Sequence, residues 1–185
     1  MKTIHSIMLI TAAVQSGCGT LATTSNTGSH MTSSHSTTNH RYMGIELNQQ
    51  VWSLLTKSDR DDRDDRRMEE FALASLYHWE LADGYAPVNT QRGDWLIARV
   101  YIALENSEAA LLHAEKCMAL TLDLALNDFD LAYAYESLSR ALALSGDREL
   151  SATNRALAEQ AGAEIAKEED RTMFMSDLEA GPWFE

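Results

Sequence analysis

Arg99 and Arg140 are the side chains of this chain whose chemistry most needs an explanation. Arg99 is the one charge in the run Trp95-Leu96-Ile97-Ala98-Arg99-Val100-Tyr101-Ile102-Ala103-Leu104. A guanidinium in so apolar a helix has to meet an anion or reach water. Glu136, Asp130 and Asp128 are its candidate partners. Arg140 follows Glu136 by four residues, and these two are the only charges between Leu131 and Leu144. The order acid then base at i, i+4 stabilises an isolated helix by about 0.3 kcal/mol. Two readings follow. Either Arg99 and Glu136 form a buried clamp between neighbouring helices, or Arg99 draws Glu136 away and frees Arg140. In the second case two arginines face one groove and accept a carboxylate or phosphate.

A second constellation flanks one loop. His78 and Trp79 end one helical pattern, and Asn89, Arg92 and Trp95 begin the next, a set suited to a peptide or a small polar ligand. The alternative is that both tryptophans are core and Arg92 pairs locally. His113 and Cys117 stand at i, i+4, which can supply two legs of a zinc site. No second pair of ligands accompanies them, so a packed histidine beside a buried thiol is the simpler outcome. The run from Asp59 to Arg67 alternates acids and arginines but lacks the turn glycine and closing glutamate of a calcium loop, and reads as a solvated helix face. No serine in a glycine elbow, phosphate-cradling glycine loop or spaced Cys/His set is present. No catalysis, metal or cofactor is therefore expected.

These residues must be positioned by helices. The chain has 185 residues, is 45% hydrophobic with 2 prolines, and is rich in Ala and Leu, which favours helix over sheet. Its net charge is −13, and residues 1–43 hold Lys2 and Arg41 but no acid. So acidic a body repels phosphate backbones and anionic lipid; neither nucleic acid nor a membrane surface is an expected partner of the folded part. Residues 1–42 read as a disordered Ser/Thr-rich leader. This is either a lipoprotein signal ending at Cys18 or a non-native start, since Gly28-Ser29-His30-Met31 looks like the remnant of a cleaved tag. The body, 43–185, reads as cytoplasmic, and a lipoprotein anchored through Cys18 is the alternative.

Seven helices are expected in the body. Leu47, Val51, Leu54 and Leu55 share one face of the first, Ile45 to Thr56. Ser58 and Asp59 offer caps for the second, whose core face is Met68, Phe71, Ala72, Ser75, Leu76 and Trp79 at helical spacing. Gly84 and Pro87 break the chain before a third helix capped by Asn89 or Thr90. Asn106 starts a fourth, which runs to Leu126. Asn127 to Asp130 introduce a fifth, ended by Gly146, and Asp147 caps a sixth that buries Leu150, Leu157, Ala161 and Ile165. A short seventh, Glu168 to Leu178, precedes Pro182-Trp183-Phe184, which is either an apolar plug or a sticky tail.

Ile97-Ala98, Tyr101, Leu104, Ala110, Ala114 and Cys117 resemble a tetratricopeptide repeat, with small residues where the two helices of a pair touch. A second copy, with Ala98 aligned to Ser139, is displaced by 41 residues, and Ser151 and Arg155 replace the small and aromatic residues of its second helix. The resemblance spans about residues 93–166, and the chain is also similar to small bacterial proteins of this build. It implies an all-α stack of antiparallel helix pairs, a short right-handed superhelix whose concave groove binds a peptide or protein partner. The partner-binding candidates are Arg99, Arg140, Glu136, Tyr101, Trp95, Arg92, Asn89 and His78. The expected function is an adaptor; the alternative is a sensor for a small anion built on the two arginines. For the leader, a cytoplasmic chain incorporates no labelled palmitate in a bacterial host, whereas an anchored one incorporates it and loses it in Cys18→Ser.

Overall fold

Helix pairs follow one another along the chain, each new helix packing on the one before it. The computed structural model describes residues 34–184; Cys18 and most of the leader lie outside them. Seven helices form among the described residues: α1 Ser34–Leu55, α2 Asp62–Glu80, α3 Pro87–Ala103, α4 Ser107–Asp123, α5 Asp128–Ser145, α6 Arg148–Ala163 and α7 Glu168–Glu179. Sequential helices pack as antiparallel pairs, and the odd-numbered ones also touch along one side, α1 on α3, α3 on α5 and α5 on α7. None of the described helices is long and apolar enough to cross a membrane.

The helix boundaries follow local chemistry, with some shifts from expectation. The first helix begins at Ser34 rather than Ile45, so residues 34–42 are helical and only the earlier part of the leader is undescribed. Asp61, not Ser58 or Asp59, caps α2: its carboxylate accepts the Arg63 and Asp64 N–H groups, and Asp64 returns a bond to Asp61 N–H. Three acids in the first turn of α2 suit the positive end of the helix dipole. Pro87 opens α3, where a missing N–H costs nothing, and Asn89 Oδ1 accepts the Ala86 N–H at 2.8 Å. Asn106 caps α4 through Ala109 N–H, and that helix stops at Asp123, short of Leu126. Gly146 ends α5 at φ 89°, a left-handed conformation that glycine adopts without strain. Asp147 then caps α6 through Leu150 N–H at 3.1 Å.

Small residues set how closely the pairs approach. The inward stripes of α2, α4 and α6 share one spacing: Met68, Ala72, Ser75 and the half-buried Trp79; Ala110, Ala114, Cys117 and Thr121; Ser151, the half-buried Arg155, Ala158 and Gly162. Each pair is also joined by a buried polar contact on this stripe. Ser75 Oγ donates to Gly44 O at 2.8 Å, Gln91 Nε2 to Thr121 Oγ1 at 2.9 Å, and Ser139 and Ser151 donate to each other's carbonyls at 2.7 and 2.9 Å.

The sixth helix corrects one expectation. Leu150 and Leu157 are exposed, while Ser151, Ala158, Ala161 and Gly162 face inward and Ile165 is buried just beyond the helix. Close approach of two helices selects the smallest side chains, not the most apolar ones, so the leucines are left outside. Gly162 is where this matters most, because a Cβ there would overlap the Phe174 ring of α7, which is itself fully buried. Gly162→Ala is expected to destabilise the protein by about 2 kcal/mol through overpacking, read as a lower urea midpoint with an unchanged slope; an unaltered midpoint would show that α7 yields freely.

Candidate functional site

Three elements meet around the arginines, and the helix register places them there. Residues 95 and 99 lie one turn apart on α3, and 136 and 140 one turn apart on α5, so the two facing stripes bring all four together. Glu136 is 1% exposed. It accepts from Arg140 Nε, within α5, and from Arg99 Nη1 of α3 at 3.4 Å. Arg99 rests 5.5 Å from the Trp52 ring centroid and 5.7 Å from that of Trp95, contacts that suit a partly desolvated guanidinium.

Arg140 is fully engaged. Beyond Glu136 it donates from Nη2 to Asp177 O at 2.7 Å and Ala180 O at 2.9 Å, and from Nη1 to Pro182 O at 2.9 Å. The first two carbonyls belong to the end of α7 and the residue just after it, where backbone acceptors lack helical partners. Its guanidinium carbon lies 4.2 Å from the Trp183 ring centroid, as does that of Arg155. Trp183 Nε1 donates to Leu178 O at 3.1 Å. The terminal segment therefore folds back as a plug, and Arg140 holds it there. Asp130 pairs instead with Arg92, which donates Nε and Nη2 to its two oxygens at 2.9 Å each. Asp128 accepts the Phe129 and Ala166 N–H groups. Of the two readings, the clamp between Arg99 and Glu136 forms and the alternative, a freed Arg140, does not: every arginine of the suggested anion site meets a carboxylate.

A cleft opens beside this network, on the side where α1, α3 and α5 meet. It encloses about 90 Å³ and is lined by Asn48, Trp79, Asn89, Gln91, Arg92 and Trp95 among others, with Phe129, Asp130 and Tyr133 from α5. Trp95 is both core and wall. It packs on Trp52 at 5.8 Å and on Tyr133 at 5.1 Å between ring centroids. Tyr133 in turn donates to Asp177 Oδ2 at 2.7 Å, and burial, then the Asp177 carboxylate, raises its hydroxyl pKa far above the usual range. Gln91 Oε1 and Trp95 Nε1, on two of the lining residues, are buried with no hydrogen-bond partner among the described residues.

Of the eight candidates, Asn89, Arg92 and Trp95 line the cleft, while Arg99, Glu136 and Arg140 form the ion cluster beside it. Tyr101 and His78 stand elsewhere. Tyr101 donates to Glu69 Oε1 at 2.9 Å and stacks on His113; burial, then Glu69, pushes its pKa up to about 12. His78 meets His40 of α1, their Nδ1 atoms 2.8 Å apart, and burial together with that neighbour lowers its pKa. Asn48, Gln91 and Tyr133 are polar cleft residues that sequence reasoning missed. Gln91 carried a usable signal, a polar residue one turn before Trp95 on a helix otherwise marked as buried.

His113 and Cys117 part company. His113 Nδ1 lies 2.8 Å from Asp94 Oδ1, whereas the Cys117 sulfur accepts from Gln91 Nε2 at 3.3 Å. Burial pushes the Cys117 thiol up to about 12, so it holds its proton and is a poor nucleophile at neutral pH. Around His113 a shallow surface hollow gathers Glu80, Thr90, Lys116 and Asp123, but Thr90 bonds Tyr85 at 2.9 Å. Among the described residues no group of three or more His, Cys, Asp or Glu is placed to hold a metal.

No protein-family model, curated protein or solved structure matches the chain. The ion cluster gives a ranking that can be measured. Sequence reasoning alone expects Arg99→Ala to cost about 3 kcal/mol by orphaning a buried acid. With Arg140 still on Glu136, that substitution is expected to cost about 1 kcal/mol, and Arg140→Met about 3 kcal/mol or more. Urea unfolding of the two variants checks the order, and equal losses would contradict it.

Proposed function

We propose that the protein is a peptide- or protein-binding adaptor of tetratricopeptide type. The carrying observation is that the cleft is open and partly apolar while the arginines beside it are each matched by a carboxylate. A sensor for a small anion needs guanidinium groups left over for the ligand, so the pairing favours the adaptor. The repeat reading draws further support from the shared stripes of α2, α4 and α6 and from the contact of odd-numbered helices along one side. In a right-handed superhelix those helices form the concave layer, which repeat proteins present to partners. A cytoplasmic setting fits an acidic body of this kind.

Asn48 of α1 is the cleanest probe of the cleft, since its side chain makes no hydrogen bond or ion pair among the described residues. Peptides selected from a random library on the immobilised protein should bind Asn48→Lys at least about tenfold more weakly, a loss of 1.4 kcal/mol, with the melting midpoint unchanged. Selected peptides that bind the variant as well as the wild type would place recognition elsewhere, and a failure to select any would count against an adaptor.

A further inference from the structure

His40 and His78 come from different helices and meet through the same ring atom. Their Nδ1 atoms lie 2.8 Å apart, between α1 and the last turn of α2. The ring centroids are 4.9 Å apart and the planes are inclined by 42°, so the two nitrogens face each other nearly head-on. Such a contact holds when one Nδ1 carries a proton and the other a lone pair. Two fully protonated rings would instead aim two N–H donors at each other and set like charges in contact. The pair therefore accommodates one added proton, on the outer nitrogen of the donor ring, and excludes a second.

We propose that this pair is an acid-operated latch: entry of the second proton parts His40 from His78, frees the adjoining turn of α1 from α2 and loosens the Trp79 side of the cleft. The turn that follows His40 is the one that holds Trp79. The Arg41 guanidinium carbon lies 5.7 Å from the Trp79 ring centroid. Gly44 abuts the same ring so closely that a Cβ there would lie 3.0 Å from it, and the Gly44 carbonyl accepts from Ser75 Oγ at 2.8 Å. Trp79 and Ser75 both line the cleft. The latch itself is independent of the adaptor reading; its effect on a partner rests on that reading.

Nothing at the contact neutralises a second positive charge. Tyr77 of α2 faces both rings edge-on, with centroids 6.4 Å from His40 and 5.5 Å from His78, and brings a phenol rather than a carboxylate. On α1 the neighbouring Arg41 is itself a cation. Although α3 packs on both helices, neither histidine has an ion pair with it or with any other element among the described residues. Burial, and then His40, lower the pKa of His78. A histidine kept neutral by the fold contributes stability above the ordinary histidine range, about pH 6.5, and that stability is lost as the pH falls below it.

The test uses the full chain with a chelator present, so that protons and not a metal ion are titrated. Ring-nitrogen NMR between about pH 7.5 and about pH 5 follows His78. Its titration is expected below the ordinary histidine range in the wild type and is expected to move up toward that range in His40→Gln, whose amide carries no charge. Hydrogen exchange over the same interval reads the helix. Protection of amides 40–44 should fall at least about tenfold relative to those of α5 in the wild type, and by no more than about twofold in His40→Gln. A His78 titration unmoved by His40→Gln, or an equal loss of protection in the two proteins, would overturn the latch. Peptides selected from a random library at the higher pH should bind the wild type at least about threefold more weakly at the lower pH, with a smaller loss for His40→Gln. Equal losses would overturn the effect on the cleft. A failure to select any peptide would remove the adaptor and not the latch, which NMR and exchange decide without a partner.

Discussion

Glu136 is a carboxylate taken out of water in the middle of α5, and the second half of the molecule is arranged around keeping it neutralised. An unpaired buried carboxylate costs several kcal/mol, so Arg140, one turn along, cannot leave it. Arg140 is buried as well, with donors to spare, and those donors find the carbonyls of Asp177, Ala180 and Pro182. The position of the C-terminal segment thus follows from an ion pair inside another helix. Arg99 reaches the same carboxylate from α3 and leans on Trp52 of α1, so three odd-numbered helices share one electrostatic centre.

That arrangement also shapes the cleft beside it. Because Arg99 and Arg140 are committed to Glu136, and Arg92 to Asp130, a protein of net charge −13 presents a wall of neutral dipoles and aromatic edges at this place. On the proposed adaptor reading, a partner there would meet shape and apolar surface rather than an unmatched charge.

Much of the fold could be read from local chemistry. Gly84 and Pro87, Asn106, and Gly146 with Asp147 marked turns and caps that the helices obey, because backbone groups at helix ends need partners close in sequence. The face Met68, Ala72, Ser75 of α2 was readable for the same reason, a periodicity of 3.6 residues. The face of α6 was not. Leu150 and Leu157 look like core in the sequence, yet they are exposed, since Ser139, Phe174 and the rest of the neighbouring surface admit the smaller Ser151, Ala158, Ala161 and Gly162. The start of α1 was missed as well, because the polar run before Arg41 has little apolar periodicity of its own.

For the site, sequence alone determined that a guanidinium lay in an apolar helix and that acids four residues or one helix away could answer it. Which acid answers which arginine was decided only by the tertiary structure. Arg92 could have paired within its own helix, Asp130 could have gone to Arg99, and Arg140 could have stood free. Side-chain pairing across helices depends on crossing geometry to within an ångström or so, and that geometry is set by small residues on other faces. The periodicity of one helix carries no information about it. The cleft belongs to the same category: Asn48 of α1, Trp95 of α3 and Tyr133 of α5 line one space only once three helices have packed, and their chemistry as a group exists at no earlier level.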